Sequence, residues 1–184
     1  VHVNFAPVRM DTADPTPKER QALADLQEFR RSGSGYSAQQ GTRPQTLGYA
    51  LADSPAGLAA WVLDKWRSWS DSGGDLDATF GREALLTLLT VWWVTGCVTS
   101  SMRDYYDNRW HGTPLGPEDL VRIPTAMALF PNEFVSEGEP PRSWFERLYE
   151  IRRWNVYRRG GHFAAAEQPE LLANDIAEFF TSLR

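Results

Sequence analysis

The sequence predicts an α/β chain, helical over its first two thirds and alternating strand with helix over its last third. Three observations carry that prediction. Proline, glycine and capping residues punctuate residues 16–108 as a series of helices. Two short apolar runs, Ile123 to Phe130 and Trp154 to Tyr157, each lead through a loop towards a helix. Strands that alternate with helices build a parallel sheet covered on both faces. Two or three strands are only part of such a sheet, so an edge is expected to stay open.

Bulk composition narrows the class. A chain of 184 residues, 42% apolar and 23% charged, is long enough and apolar enough to bury a core. Eight Trp, nine Phe and six Tyr point to a bulky core or an aromatic-lined cavity. The net charge of -5, with no large Lys/Arg cluster, argues against nucleic acid as a partner. A single cysteine, Cys97, excludes an internal disulfide and a Cys-based zinc site, and fits a cytoplasmic location. No cofactor motif appears. The most apolar run, Leu85 to Val94, is far shorter than the ~20 residues of a membrane span and reads as a buried helix.

The elements follow in order. Val1 to Phe5 alternates like a strand. Thr16-Pro17-Lys18-Glu19 is a capping box that opens a helix running to about Arg31, stopped by Ser32-Gly33-Ser34-Gly35. Thr42 to Leu51 forms a short helix. Asp53 caps the next one at Pro55, with Leu58, Ala59, Val62, Leu63 and Trp66 on one face. Ser72 to Asp75 is loop, and Arg82 to Val94 is helix, its Trp92 and Trp93 in core or pocket wall. Gly96 interrupts that helix before Ser100 to Asn108, and His111 to Asp119 is loop. After the strand at Ile123 to Phe130, Glu139-Pro140-Pro141-Arg142 is an exposed turn and Trp144 to Tyr149 a helix. The strand at Trp154 to Tyr157 and the Gly160-Gly161 loop come next. The last helix, Leu171 to Leu183, buries Leu171, Leu172, Ile176, Phe179, Phe180 and Leu183. Glu167 and Glu170 sit where a helix dipole favours carboxylates.

Two residues stand where chemistry forms. Glu133 follows the first apolar strand and His162 the second, which places both at the carboxyl rim of a parallel sheet. A carboxylate there can fix the imidazole tautomer and stabilise its protonated form. The same residues also read as a surface glutamate and a loop histidine. His2 and His111 lack a partner motif and read as surface residues.

Three stretches carry a family resemblance. They are Arg159 to Ile176 (RGGHFAAAEQPELLANDI), Gly35 to Gly48 (GYSAQQGTRPQTLG) and Ala50 to Trp61 (ALADSPAGLAAW). Together and in order they resemble the C-terminal half of epoxide hydrolases of the microsomal type. The resemblance implies a partial α/β-hydrolase fold: a strand and loop entry over 1–10, a helical lid over 11–120, and the last strands and helices over 121–184. It implies hydrolysis of a hydrophobic epoxide by water to a vicinal diol through an aspartyl ester. It also implies four site residues: His162 as base, Glu133 as its acid, and Tyr36 and Tyr105 as lid phenols. Tyr106 is the neighbouring alternative to Tyr105.

The attacking aspartate of that family sits on a sharp strand-to-helix turn upstream of the matched stretches, and no such turn occurs in residues 1–184. A fragment, one piece of a split enzyme and a non-catalytic remnant are all compatible with that. The remnant would bind a hydrophobic ligand through an aromatic groove. The expected macromolecular partner is an N-terminal half or a second copy of the chain.

Overall fold

Ala126, Met127 and Ala128 are fully buried because their strand lies in the middle of a sheet. A computed structural model describes residues 1–10, 13–116, 118–133 and 140–184. The chain divides into two compact units. One comprises Val1–Phe29, Trp69–Asp71 and Leu115–Arg184; the other comprises Arg30–Ser68 and Ser72–Pro114.

The first unit holds a three-stranded parallel sheet in the order β1 (His2–Val3), β2 (Val121–Leu129), β3 (Tyr149–Val156). His2 pairs with Ala126, and Leu129 with Val156. Side chains alternate across β2. Met127 and Leu129 join Trp144 and Phe145 on one side, against Ala22 and Leu23 of α1 (Pro17–Ser32). Ala128 and Phe130 join Ala164, Leu171 and Leu172 on the other, from α9 (Ala164–Glu167) and α10 (Pro169–Thr181). The sheet is thus covered on both faces, as its apolar runs predict.

Several boundaries differ from expectation. Pro124 lies inside β2, at a register irregularity that tolerates its missing N–H, and its carbonyl accepts from the Val1 ammonium at 2.7 Å. β3 starts at Tyr149 rather than Trp154, and the preceding helix, α8 (Arg142–Glu146), is correspondingly short. Glu139 of the expected exposed turn lies outside the described residues; Pro140 is half-buried and Pro141 fully buried, while Arg142 is exposed but begins α8. In α10 only Phe179 of the expected apolar face is fully buried. Phe180 and Leu183 are nearly half exposed, Ile176 is also exposed, and the second buried residue is Asp175.

Asp175 explains a further correction. His2 is not a surface residue; its Nε2 lies 2.5 Å from Asp175 Oδ2, with both side chains buried. Asp175 also accepts from Arg153 Nε at 2.8 Å and from Asn155 Nδ2. Burial pushes the carboxyl pKa up, but hydrogen bonds from His2, Tyr157, Arg153 and Asn155 together outweigh it and hold the group below the ordinary aspartate value. A buried charge is tolerable only when paired in this way.

The capping box at Thr16 forms as predicted: Thr16 N–H donates to Glu19 at 2.8 Å and Glu19 N–H to Thr16 Oγ1 at 3.3 Å. The structure adds that Glu19 is fully buried, accepting from Ser143 Oγ at 2.8 Å and pairing with Arg147 at 2.9 Å. The Thr16 N–H first, then the Ser143 hydroxyl, hold its pKa down at about 2. A depressed carboxyl pKa contributes stability above the unfolded value, and that stability is lost as pH falls towards the folded one. Glu19→Gln is therefore expected to lower Tm at neutral pH. The gap to wild type should close as pH drops from 4.5 towards about 2, as followed by thermal melts.

The second unit is helical: α2 (Gly35–Thr42), α3 (Pro44–Asp53), α4 (Pro55–Ser68), α5 (Leu76–Phe80), α6 (Arg82–Thr95) and α7 (Val98–His111). Leu51, Leu58, Val98 and Met102 form its core, with Trp61 and Trp92 packed on it. A Cβ on Gly48 would lie 2.6 Å from Thr99 Oγ1, so glycine is what lets α3 lie against α7. Gly35 opens a helix instead of ending one, and this α2 runs to Thr42; the helix expected over Thr42 to Leu51 is α3, which begins at Pro44 and runs to Asp53. Asp53 is the last residue of α3. Ser54 caps α4, its Oγ accepting from Gly57 N–H at 3.0 Å. α6 is not buried: among its apolar residues only Leu85 is, while Leu86, Val91 and Val94 are more than half exposed and Trp93 is exposed too. Among the described residues no single helix is long and apolar enough to cross a membrane; α6 and α7 together would be, but they bend by 82°.

Candidate active site

The carboxyl rim of the sheet is where Glu133 and His162 meet. β2 ends at Leu129 and β3 at Val156. Beyond them Asn132 N–H donates to Gly160 O at 3.2 Å, and Asn132 bridges Gly161 in parallel. The two loops are thereby zipped together, with Glu133 next to one side of the bridge and His162 next to the other. His162 Nδ1 lies 2.8 Å from Glu133 Oε2, both side chains being largely buried. The other oxygen, Glu133 Oε1, is buried and has no hydrogen-bond partner among the described residues.

The glycines before His162 have separate reasons. Gly160 takes φ +98°, a left-handed conformation that side chains disfavour. A Cβ on Gly161 would lie 2.6 Å from both Asn132 O and Trp69 O. Only glycine lets three strands of backbone crowd together at that point.

Three aromatic rings meet the imidazole edge-on. Phe163 lies 5.2 Å from it between centroids, Trp69 5.5 Å and Phe5 5.8 Å. Such contacts limit rotation of the ring while leaving its nitrogens to polar partners. Sequence reasoning did not single out Trp69 or Phe5, which are 93 and 157 residues away from His162 and carry no motif. An apolar cavity of about 440 Å³ adjoins the dyad, lined by Phe5, Leu129, Phe130, Glu133, Trp144 and Phe145 among others.

Glu167 is a first-turn carboxylate, as expected, but of the short helix α9 and not of α10, which begins two residues later. It ends α9 and accepts from Asp71 N–H at 2.7 Å and Phe163 N–H at 3.0 Å. Glu170 does lie in the first turn of α10.

The two lid phenols lie in the helical unit. Tyr36 on α2 and Tyr105 on α7 have ring centroids 5.9 Å apart in an edge-to-face arrangement. Burial first, then the Tyr105 phenol beside it, pushes the Tyr36 pKa up to about 12. Lys65 Nζ sits 5.0 Å over the Tyr36 ring. Tyr106 packs instead with Trp110 and His111, and His111 is exposed as expected. It is Tyr105, then, that pairs with Tyr36. Among the described residues no cluster of three or more His, Cys, Asp or Glu could hold a metal ion.

Known proteins can now be set beside this geometry. No family model matches the chain. A protein of Stigmatella aurantiaca assigned by name to the epoxide hydrolases is 41% identical over 188 residues, covering 100% of this chain and 41% of that protein. Epoxide hydrolase 1 of Sus scrofa is 39% identical over 155 residues, 79% of this chain and 34% of its own length. The structure of Aspergillus niger epoxide hydrolase superposes with a TM-score of 0.80 at 26% identity, over 100% of this chain and 46% of that one. The silkworm (Bombyx mori) juvenile hormone epoxide hydrolase does so at 0.80 over 98% and 48%. The chain thus spans less than half the length of each of these four proteins.

Proposed function

This chain belonging to the epoxide hydrolase family of the α/β-hydrolase fold, we propose that it supplies the base, its acid and the phenolic donors of an enzyme that converts epoxides to vicinal diols. The attacking aspartate comes from sequence outside residues 1–184. The observation that carries this reading is the 2.8 Å bond between His162 Nδ1 and Glu133 Oε2 at the sheet rim.

The chemistry runs in two steps. The aspartate oxygen attacks one epoxide carbon and the ring C–O bond breaks. Tyr36 and Tyr105 donate hydrogen bonds to the oxygen that leaves as an alkoxide, which is otherwise a poor leaving group. One of the two phenols passes its proton to that oxygen, giving a hydroxy ester, and the tyrosinate left behind is reprotonated by the proton that the aspartic acid releases at the end of the cycle. His162 then takes a proton from water through Nε2 as the water oxygen attacks the ester carbonyl. Glu133 orients the ring and stabilises the imidazolium. Collapse of the tetrahedral intermediate expels the second diol oxygen, which takes the proton from His162, and the aspartic acid that remains gives up its own proton to restore the aspartate. Epoxide and water are consumed and diol is formed, with no cofactor. The apolar cavity beside Glu133 suits a hydrophobic substituent of the epoxide.

The test is reconstitution. Joined to the N-terminal part of the Stigmatella aurantiaca relative, the chain is expected to convert styrene oxide to its diol, while the chain alone does not. Turnover by the isolated chain, or none by a well-folded joined enzyme, would refute this reading.

A further inference from the structure

The loop that carries His162 is held by more than its glycines. Gly160 N–H donates to Asp71 Oδ2 at 2.9 Å, His162 N–H to Trp69 O at 2.8 Å, and Phe163 N–H to Glu167 Oε1 at 3.0 Å. Three amides of the loop are therefore captured, two of them by carboxylates. The two residues are tied to each other through the main chain, because Asp71 N–H donates to Glu167 Oε2 at 2.7 Å. Consecutive N–H groups form a concave site for anionic oxygens, and bonds from N–H to a carboxylate are stronger than neutral ones.

The captor is a short segment of unusual provenance. Trp69–Asp71 belongs to the sheet unit, yet the residues on both sides of it, up to Ser68 and from Ser72, belong to the helical unit. It serves the histidine loop three times over. The Trp69 carbonyl binds the His162 amide, the Trp69 indole meets the imidazole edge-on, and Asp71 fixes the loop entry. Glu167 closes the loop from the other end. With the amides fixed on one side and the Asn132–Gly161 bridge on the other, the imidazole is set where Nδ1 reaches Glu133.

We propose that Asp71 and Glu167 are positioning residues for His162: the carboxylate clamp they form on loop 160–163 sets the imidazole against Glu133 in the geometry needed to activate water. The inference rests on the proposed hydrolase reading for its kinetic consequence, but not for its structural one.

The experiment has two arms. In the 184-residue chain, NMR of the His162 imidazole follows the Nδ1 proton shared with Glu133. Asp71→Leu and Glu167→Leu are expected to abolish that signal while amide signals of the helical unit stay in place. In the joined enzyme, single-turnover kinetics separate ester formation from ester hydrolysis. Both variants should slow hydrolysis about tenfold or more, the cost of a slightly misplaced base, and change ester formation less than about twofold. A role in folding alone would depress both steps together and would overturn the proposal, as would an unaltered His162 signal. If the leucine variants do not fold, Asp71→Asn decides, because it keeps an acceptor for Gly160 N–H and drops only the charge. It should slow hydrolysis alone by about two- to fivefold; unchanged hydrolysis would overturn the clamp. If the imidazole signal is lost as expected but the parent joined enzyme forms no ester, the clamp stands and the hydrolase reading falls.

Discussion

Replacing His162 with Gln in the joined enzyme is expected to stop turnover after the first chemical step. Glutamine fills a similar volume and can still hydrogen-bond to Glu133, but it cannot take a proton from water. Epoxide opening does not need that proton transfer, so the aspartyl ester should form and persist. Loss of a general base costs about 10²–10⁴-fold, which would bring turnover close to zero on the time scale of an assay. Intact mass spectrometry after mixing with styrene oxide should show a protein heavier by one epoxide. Glu133→Gln should show the same adduct at a lower level, because it weakens orientation and charge stabilisation without removing the base. A variant that turns over normally, or one that never forms the adduct, would remove His162 from its role.

Changing the phenols should produce the opposite signature. Tyr36→Phe and Tyr105→Phe each remove one donor to the developing alkoxide, at a cost of about 10²–10³ in rate by analogy with other oxyanion donors. The affected step is ester formation, so no adduct should accumulate even when turnover is slow. The double variant should lose more than either single one, though not the full product, since the two rings touch and their effects couple. The raised pKa of Tyr36 bears on its role as donor. A group pushed up to about 12 keeps its proton through the alkaline range in which an ordinary phenol, near 10, has lost half. Ultraviolet titration of the chain, compared with Tyr36→Phe, should place the missing phenolate absorbance near 12; a value near 10 would contradict the buried pairing.

Much of the local structure was legible because it obeys short-range rules. The Thr16–Glu19 box, the proline starts of α1 and α4 and the break at Gly96 depend on neighbours within four residues. The placement of Glu133 and His162 at strand ends was legible too, because a parallel sheet puts loop residues that follow its strands on one rim. The errors lie where burial depends on distant partners. Arg82 to Val94 is apolar enough to read as core, yet most of its apolar residues face outward. His2 carries no motif, yet it is buried against a carboxylate 173 residues away. Asp175 and Glu19 are charges in positions where hydrophobic periodicity expects none, and only their partners explain them.

The amino-acid order alone determined the longer helices and the two apolar strands in outline, and which two rim loops carry an acid and a base, because backbone preference and side-chain alternation are local properties; it did not disclose α2, α5, α9 or the first half of β3. The three-dimensional packing decided that Nδ1 of His162 meets Glu133, that Tyr105 and not Tyr106 faces Tyr36, and that Asp71 reaches the loop at Gly160. Those outcomes are distances between residues far apart in the chain. Such distances are set by how buried surfaces fit together, and one-dimensional spacing does not encode them.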